Sequence, residues 1–265
     1  MPHMLILGQG YTASRLAARL RAEGWHITGV RRTADAEALA FDDESAVRAA
    51  IAQASHILSS VPPEGDADPV LIRYGAAIAA APAIWTGYLS STGVYGDAAG
   101  AWVDEATPVR LGRRAARARA DAGWGALRPD MRRFRLPGIY GPGRSVLDRV
   151  REGRAHRIDL PDQVFSRAHV DDIVAGIAAS LHRGPPGIYN LSDDLPCAQN
   201  RLVETACAML GQPLPPLLTL EEARLSPMAQ SFYAENRRVA NGRAKRLLDW
   251  SPRYPTYREG LPACL

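Results

Sequence analysis

Met4-Leu5-Ile6-Leu7-Gly8-Gln9-Gly10-Tyr11-Thr12-Ala13 is the stretch on which the fold turns. Its first residues, 4–8, form a short apolar run ended by glycine and read as a strand. Residues 12–23 then read as a helix, with Leu16, Ala17 and Leu20 on one face and Gly24 to end it. The junction has the spacing G-x-G-x-x-A. Gly8 permits a tight turn, Gly10 lets the backbone come close to a ligand, and Ala13 is small enough for the helix to pack on the strand. A helix N-terminus at that point offers unpaired N–H groups and a partial positive charge to phosphates. Strand before and helix after make this a dinucleotide-binding loop, with Gly8, Gln9, Gly10, Tyr11 and Thr12 as its contacts.

Working outward, residues 26–30 read as a second strand, which runs into Val30-Arg31-Arg32-Thr33. An acid at this strand end would bind the ribose 2′-hydroxyl of NAD. Arg31 and Arg32 instead suit the 2′-phosphate of NADP, which a guanidinium grips with its planar fork. The expected cofactor is therefore NADP in preference to NAD, and solvated surface arginine is the alternative.

Strands are expected at 38–41, 56–61, 85–91 and 132–136, alternating with helices at 44–52, 70–81 and 113–122. That alternation gives an α/β fold, a doubly wound parallel Rossmann sheet. The second half is less regular. Residues 143–161 are rich in Gly, Arg and Pro; helices are expected at 169–181, 199–210 and 241–248, and a strand at 188–191. The expected division is a dinucleotide-binding domain over 1–143, to which 168–191 returns, and a smaller C-terminal substrate lobe made of 144–167 and 192–265.

Composition narrows the function. The chain has 265 residues, a net charge of +4 and scattered basic residues, which fits an anionic small molecule without calling for nucleic acid. Cys197, Cys207 and Cys264 lack metal-ligand spacing and suit a reducing compartment. The six histidines are dispersed, so no metal is expected. No apolar run is long enough for a membrane span, and the start has no signal-peptide pattern, so the expected location is cytoplasmic. A homodimer is compatible with all of this.

Several later segments resemble the extended short-chain dehydrogenase/reductase family of NAD(P)-dependent epimerases and dehydratases. They are Leu89-Ser90-Ser91-Thr92-Gly93-Val94-Tyr95-Gly96, Arg135-Leu136-Pro137-Gly138-Ile139-Tyr140-Gly141-Pro142-Gly143, His169-Val170-Asp171-Asp172-Ile173, Tyr189-Asn190-Leu191-Ser192 and Leu247-Leu248-Asp249-Trp250-Ser251-Pro252. The resemblance implies that Ser91, with Thr92 beside it, hydrogen-bonds the reacting carbonyl or hydroxyl. It implies that Pro137 and Gly138 lie against the nicotinamide and that Val61 and Pro62 line the cofactor. Turn capping is the structural alternative for Ser91. Tyr140, Arg144 and Arg167 are candidate substrate contacts.

The family's Tyr-x-x-x-Lys pair is missing. Its helix here reads Arg113-Arg114-Ala115-Ala116-Arg117-Ala118-Arg119-Ala120, and the only lysine of the chain is Lys245. The register chosen on sequence puts Ala115 in the Tyr position and Arg119 in the Lys position, so Arg119 joins Ser91 and Thr92 as a catalytic candidate. Arginine holds a ribose but does not exchange a proton at neutral pH. Tyr140, Tyr95 or a water on Ser91 are the substitute donors. The helix is otherwise a solvated basic face or a phosphate-binding one. The expectation is an NADP(H)-binding oxidoreductase or epimerase/dehydratase-like protein acting on a small, sugar-like or phosphorylated substrate; the alternative is a non-catalytic NADP(H)-binding sensor.

Overall fold

A computed structural model describes residues 1–110 and 115–265. Arg113 and Arg114, assigned above to the basic helix, lie outside the described residues. The central sheet has seven strands: β1 (His3–Leu7), β2 (His26–Arg31), β3 (Ala38–Ala40), β4 (His56–Ser59), β5 (Trp85–Ser91), β6 (Met131–Leu136) and β7 (Gly187–Asn190). Their spatial order is β7-β6-β5-β4-β1-β2-β3 and every pairing is parallel. Strand order reverses between β1 and β4. That switch point opens a crevice at the strands' C-terminal ends.

Ten α-helices are described: α1 (Tyr11–Ala22), α2 (Glu44–Gln53), α3 (Pro69–Ala79), α4 (Ala115–Leu127), α5 (Val146–Arg151), α6 (Val170–Ala179), α7 (Gln199–Leu210), α8 (Pro227–Tyr233), α9 (Gly242–Leu248) and α10 (Tyr257–Gly260). Strand residues alternate between two cores, because successive side chains point to opposite faces. Met4 and Ile6 of β1 join Trp85, Leu89 and Phe134 under α1 and α6. Leu5 and Leu7 join Ile57, Tyr88 and Val30 under α2, α3 and α4. Burial on both faces explains why β1 reads as an unbroken apolar run. Each fully buried Leu or Ile in these layers contributes about 1.5–3 kcal/mol.

Helix starts follow from local chemistry. The Asp68 carboxylate accepts the N–H groups of Val70 and Leu71 at 2.9 and 3.0 Å, and Pro69 fills the first helical position. Trp124 of α4 donates to the same carboxylate at 2.8 Å, which pins α4 to the start of α3. A further apolar cluster gathers Leu147, Leu202, Val203, Ala206, Tyr257 and Leu261 with Tyr140.

Outside the central sheet the chain also holds short strands absent from the sequence reading. Gly138–Tyr140 pairs with Arg167–His169, Arg157–Ile158 with Leu217–Leu218, and Trp102–Val103 with Arg238–Val239. Strands of two or three residues are too short to show a period. Helix α8 was likewise missed, although Ser226 caps it by accepting the Ala229 N–H at 3.3 Å. No described helix is long and apolar enough to cross a membrane. Among the described residues no group of three or more His, Cys, Asp or Glu side chains converges on a metal site.

Candidate functional site

The cleft starts at the loop between β1 and α1. Gly8 has φ +86°, and a Cβ there would sit 2.7 Å from Val61 Cγ2 and 3.0 Å from the Val61 nitrogen. Only glycine makes this turn without strain. Gly10 is different. Its backbone is extended (φ −91°, ψ −162°), and a Cβ built on it meets no atom within 4 Å. Open space therefore lies directly above it. The first helical bond runs from the Ser14 N–H to the Gly10 carbonyl at 2.8 Å. The N–H groups of Tyr11, Thr12 and Ala13 precede it and face the open end.

An empty approach over Gly10 with a helix N-terminus beneath it fits a pyrophosphate. Tyr11, Thr12 and Pro62 line the cleft with it. Gln9 is buried and turns its side chain against Gly29 of β2, so it shapes the loop from beneath. Val61 packs against Gly8, while Pro62 reaches the cleft wall.

The far side of the cleft, at the ends of β5 and β6, carries Ser91, Thr92, Leu136, Pro137 and Gly138. The cavity measures about 970 Å³ and extends into the lobe. The Ser91 hydroxyl accepts the Gly93 N–H at 3.1 Å and caps a short 3-10 turn, Thr92–Tyr95. Capping and cleft exposure thus coexist at Ser91, because its own proton stays free to donate.

Arg117 lines the cleft and Arg119 does not. Arg119 is exposed and pairs with Asp66 at the surface. This corrects the register chosen on sequence by two positions. Residues two apart on a helix do not share a face, so a cleft-facing Arg117 excludes Arg119. The signal was in the sequence: one heptad back from the buried Trp124 is Arg117.

Helix α4 is held at this depth by a buried carboxylate. Asp121 accepts the Ser90 hydroxyl at 2.6 Å, Arg135 Nη2 at 2.8 Å and Nε at 3.1 Å, and Arg133 Nη1 at 2.9 Å. Burial alone would raise its pKa; the bonds and charges of Arg135, Ser90 and Arg133 override that and hold it below the usual carboxylate value. Because Ser90 precedes Ser91, the network fixes Arg117 relative to Ser91.

The other proposed donors face elsewhere. Tyr140 belongs to the cleft wall, but its hydroxyl is buried against Gly260 and burial drives its pKa up. Tyr95 is buried and donates to Asn190 Oδ1 at 2.8 Å. Arg167 is buried on the wall with its guanidinium committed to the protein: it donates to the Phe165 and Cys197 carbonyls at 2.9 and 3.1 Å and to Gln199 Oε1 at 2.9 Å. Arg144 lies 5.6 Å from the Tyr11 ring and, like Arg149, lines the cleft with no ion pair to a described residue. Phe165 and Tyr233, in edge contact at 5.5 Å, were not anticipated and wall the lobe end.

At the adenosine end, Arg31 pairs with Asp35, while Arg32 is exposed and makes no ion pair with a described residue. His169 is an N-cap whose Nδ1 accepts the Asp171 N–H at 3.2 Å, a structural role.

No family model matches the chain. A curated relative, the 3-diazoavenalumate denitrifying reductase of Streptomyces sp, is 30% identical over 137 residues, 46% of this chain and 43% of that protein. The match thus spans less than half of the relative's length. A solved structure of a functionally unknown conserved protein from Silicibacter pomeroyi DSS is 40% identical, covers 100% of this chain and 98% of its own, and superposes with a TM-score of 0.88. Two more distant structures share the fold. One is a human epimerase family protein with NADPH (17% identical, 99% and 98% covered, TM-score 0.80); the other is MoeE5 with UDP-glucuronic acid and NAD (18% identical, 98% and 97% covered, TM-score 0.78). The chain belongs to one family with the Silicibacter pomeroyi protein and shares its fold with the epimerase structures.

Proposed function

We propose that this protein is an NADP(H)-dependent oxidoreductase acting on a small anionic molecule held between the phosphate loop and the lobe. The observation that carries the proposal is the open space over Gly10, bordered by the helix N-terminus at the switch point of the sheet. When bound there, a nicotinamide dinucleotide supplies hydride transfer. The names of the relatives support the reading: one is a reductase, and two were solved with NADPH or NAD.

The chain's residues divide the remaining work. Tyr11, Thr12 and Ala13 amides receive the pyrophosphate. Arg32, and Arg31 if released from Asp35, receive the 2′-phosphate, which favours NADP over NAD. Pro137 and Gly138 form the floor under the reacting ring. Ser91 and Thr92 orient the reacting oxygen, and Arg117 takes the place assigned earlier to Arg119. Arg144 and Arg149 give the substrate end a positive field. An open cleft beside Ser91, with Thr92 and Arg117 on its wall, favours an enzyme over a closed-walled sensor.

The test is an NADPH-consumption screen across carbonyl compounds and nucleotide sugars, with Ser91→Ala as control. The proposal predicts turnover that falls about 100-fold or more in the variant. Turnover indifferent to Ser91→Ala removes the assigned site.

A further inference from the structure

The described wall residues at this end of the cleft include Ser90, Thr92, Arg117, Leu136, Pro137 and Gly138. None of them delivers a proton near neutral pH. Residues 111–114, outside the described ones, read Leu-Gly-Arg-Arg, none of which is an acid, a histidine or a tyrosine. Of the titratable groups elsewhere on the wall, the Tyr140 hydroxyl is buried against Gly260, and several others are engaged with the protein. Asp148 binds the Ser145 hydroxyl, Glu152 pairs with Arg154, and Glu235 pairs with Arg237. Tyr11 donates to the Pro142 carbonyl at 3.0 Å. His156 sits in the lobe 3.4 Å from the Tyr233 hydroxyl, its pKa lowered by burial and by Arg149. Arg117 is half-buried, interacts with the hydroxyl of buried Tyr88 and makes no ion pair with a described residue.

A site with a fixed cation and, among the described residues beside Ser91, no group that titrates near neutral pH discriminates between acceptors. Hydride addition to a simple ketone or aldehyde leaves a localised, strongly basic alkoxide, which a cation alone holds poorly. Addition to a conjugated acceptor leaves an enolate or nitronate, whose spread charge a guanidinium stabilises without proton transfer. We propose that the cleft reduces activated alkenes carrying an anionic group, by conjugate hydride addition, with Arg117 holding the product oxyanion and Arg144 and Arg149 the anionic group. The inference rests on the cofactor reading above. In the step, the β-carbon gains a C–H bond as the C4–H bond of the reduced nicotinamide breaks. The alkene π pair shifts to join the α-carbon to the carbonyl carbon, the carbonyl π pair moves to oxygen, the nicotinamide would leave oxidised, and solvent protonates the α-carbon.

The test is 4-carboxycinnamaldehyde with NADPH, products read by NMR. The saturated aldehyde, with turnover down about 100-fold in Arg117→Gln and partly kept in Arg117→Lys, is the expected result. The allylic alcohol overturns the inference. No consumption by a protein that binds NADPH overturns it and leaves the cofactor reading standing; no NADPH binding removes both. A second readout needs no turnover. The pKa of 4-nitrophenol, read by its phenolate absorbance in excess protein, should fall by about one unit or more through the nearby cation. The fall should vanish in Arg117→Gln and persist in Arg119→Ala. An unshifted titration in the wild type, or a shift that survives Arg117→Gln, contradicts the assignment of Arg117.

Discussion

Two glycines in one loop should fail in opposite ways. At Gly10, φ of −91° and ψ of −162° suit any L residue, and a new Cβ touches nothing. Gly10→Ala also narrows the unfolded ensemble, worth about 0.4–1 kcal/mol, and loses a few tenths as a poorer helix cap. The two effects nearly cancel, so stability should stay within about 1 kcal/mol of wild type. Ligand affinity should not. The methyl group projects into the space reserved for the pyrophosphate, and a lost close approach with displaced amide bonds costs about 1.5–3 kcal/mol, roughly 10- to 100-fold in Kd. Gly8→Ala inverts the pattern. With φ of +86° and Val61 backbone 3.0 Å from the new Cβ, the loop must shift. That costs about 1–3 kcal/mol in strain alone. The assays are chemical denaturation for stability and calorimetry for NADPH. Gly10→Ala that binds NADPH as wild type does, or that unfolds the protein, refutes the assignment of that space to the ligand.

Other expectations follow from the same structure. Arg32→Ala should weaken NADPH about 10-fold or more by calorimetry and leave NADH nearly unchanged, since only the 2′-phosphate loses a charged partner. Asp121→Asn leaves buried Arg135 without its counter-charge and should cost about 3–5 kcal/mol by denaturant titration. Because the Asp121 pKa is lowered in the fold, its contribution is present above the unfolded value of 3.8 and is lost as pH falls through the still lower folded value. Asp193 behaves oppositely. Burial raises its pKa to about 8, so the native state holds a proton that the unfolded chain releases from pH 3.8 upward. Stability should therefore fall between those values, by up to about 1.4 kcal/mol per pH unit, and Asp193→Asn should flatten the slope of Tm against pH.

Much of the fold was legible because the strands and helices of the sheet are long enough to show their periods. The run Met4–Leu7 announced a strand buried on both faces, and residues 199–210 were placed correctly as a helix. The shorter elements around them were not, since strands such as 157–158 and 217–218 have two residues and Ser226 caps a helix of only seven. Within the site, the turn at Gly8 was legible because a positive φ is written in residue type. Arg119 was misassigned because an alternating Arg-Ala helix offers registers that differ only in what packs beneath, and that packing runs through Asp121, Arg135 and Ser90, distant in sequence. The burial of the Tyr140 hydroxyl against Gly260 rests on a contact across 120 residues that no local pattern encodes.

The central claim is that the amides after β1 receive a pyrophosphate, with a free guanidinium waiting for the 2′-phosphate. Calorimetric titration of the wild-type protein with NADPH and with NADH tests it most directly. The expected result is one site for each, with NADPH tighter by about 10-fold or more. Absence of heat with both nucleotides contradicts the claim; equal affinities contradict its assignment of Arg31 and Arg32.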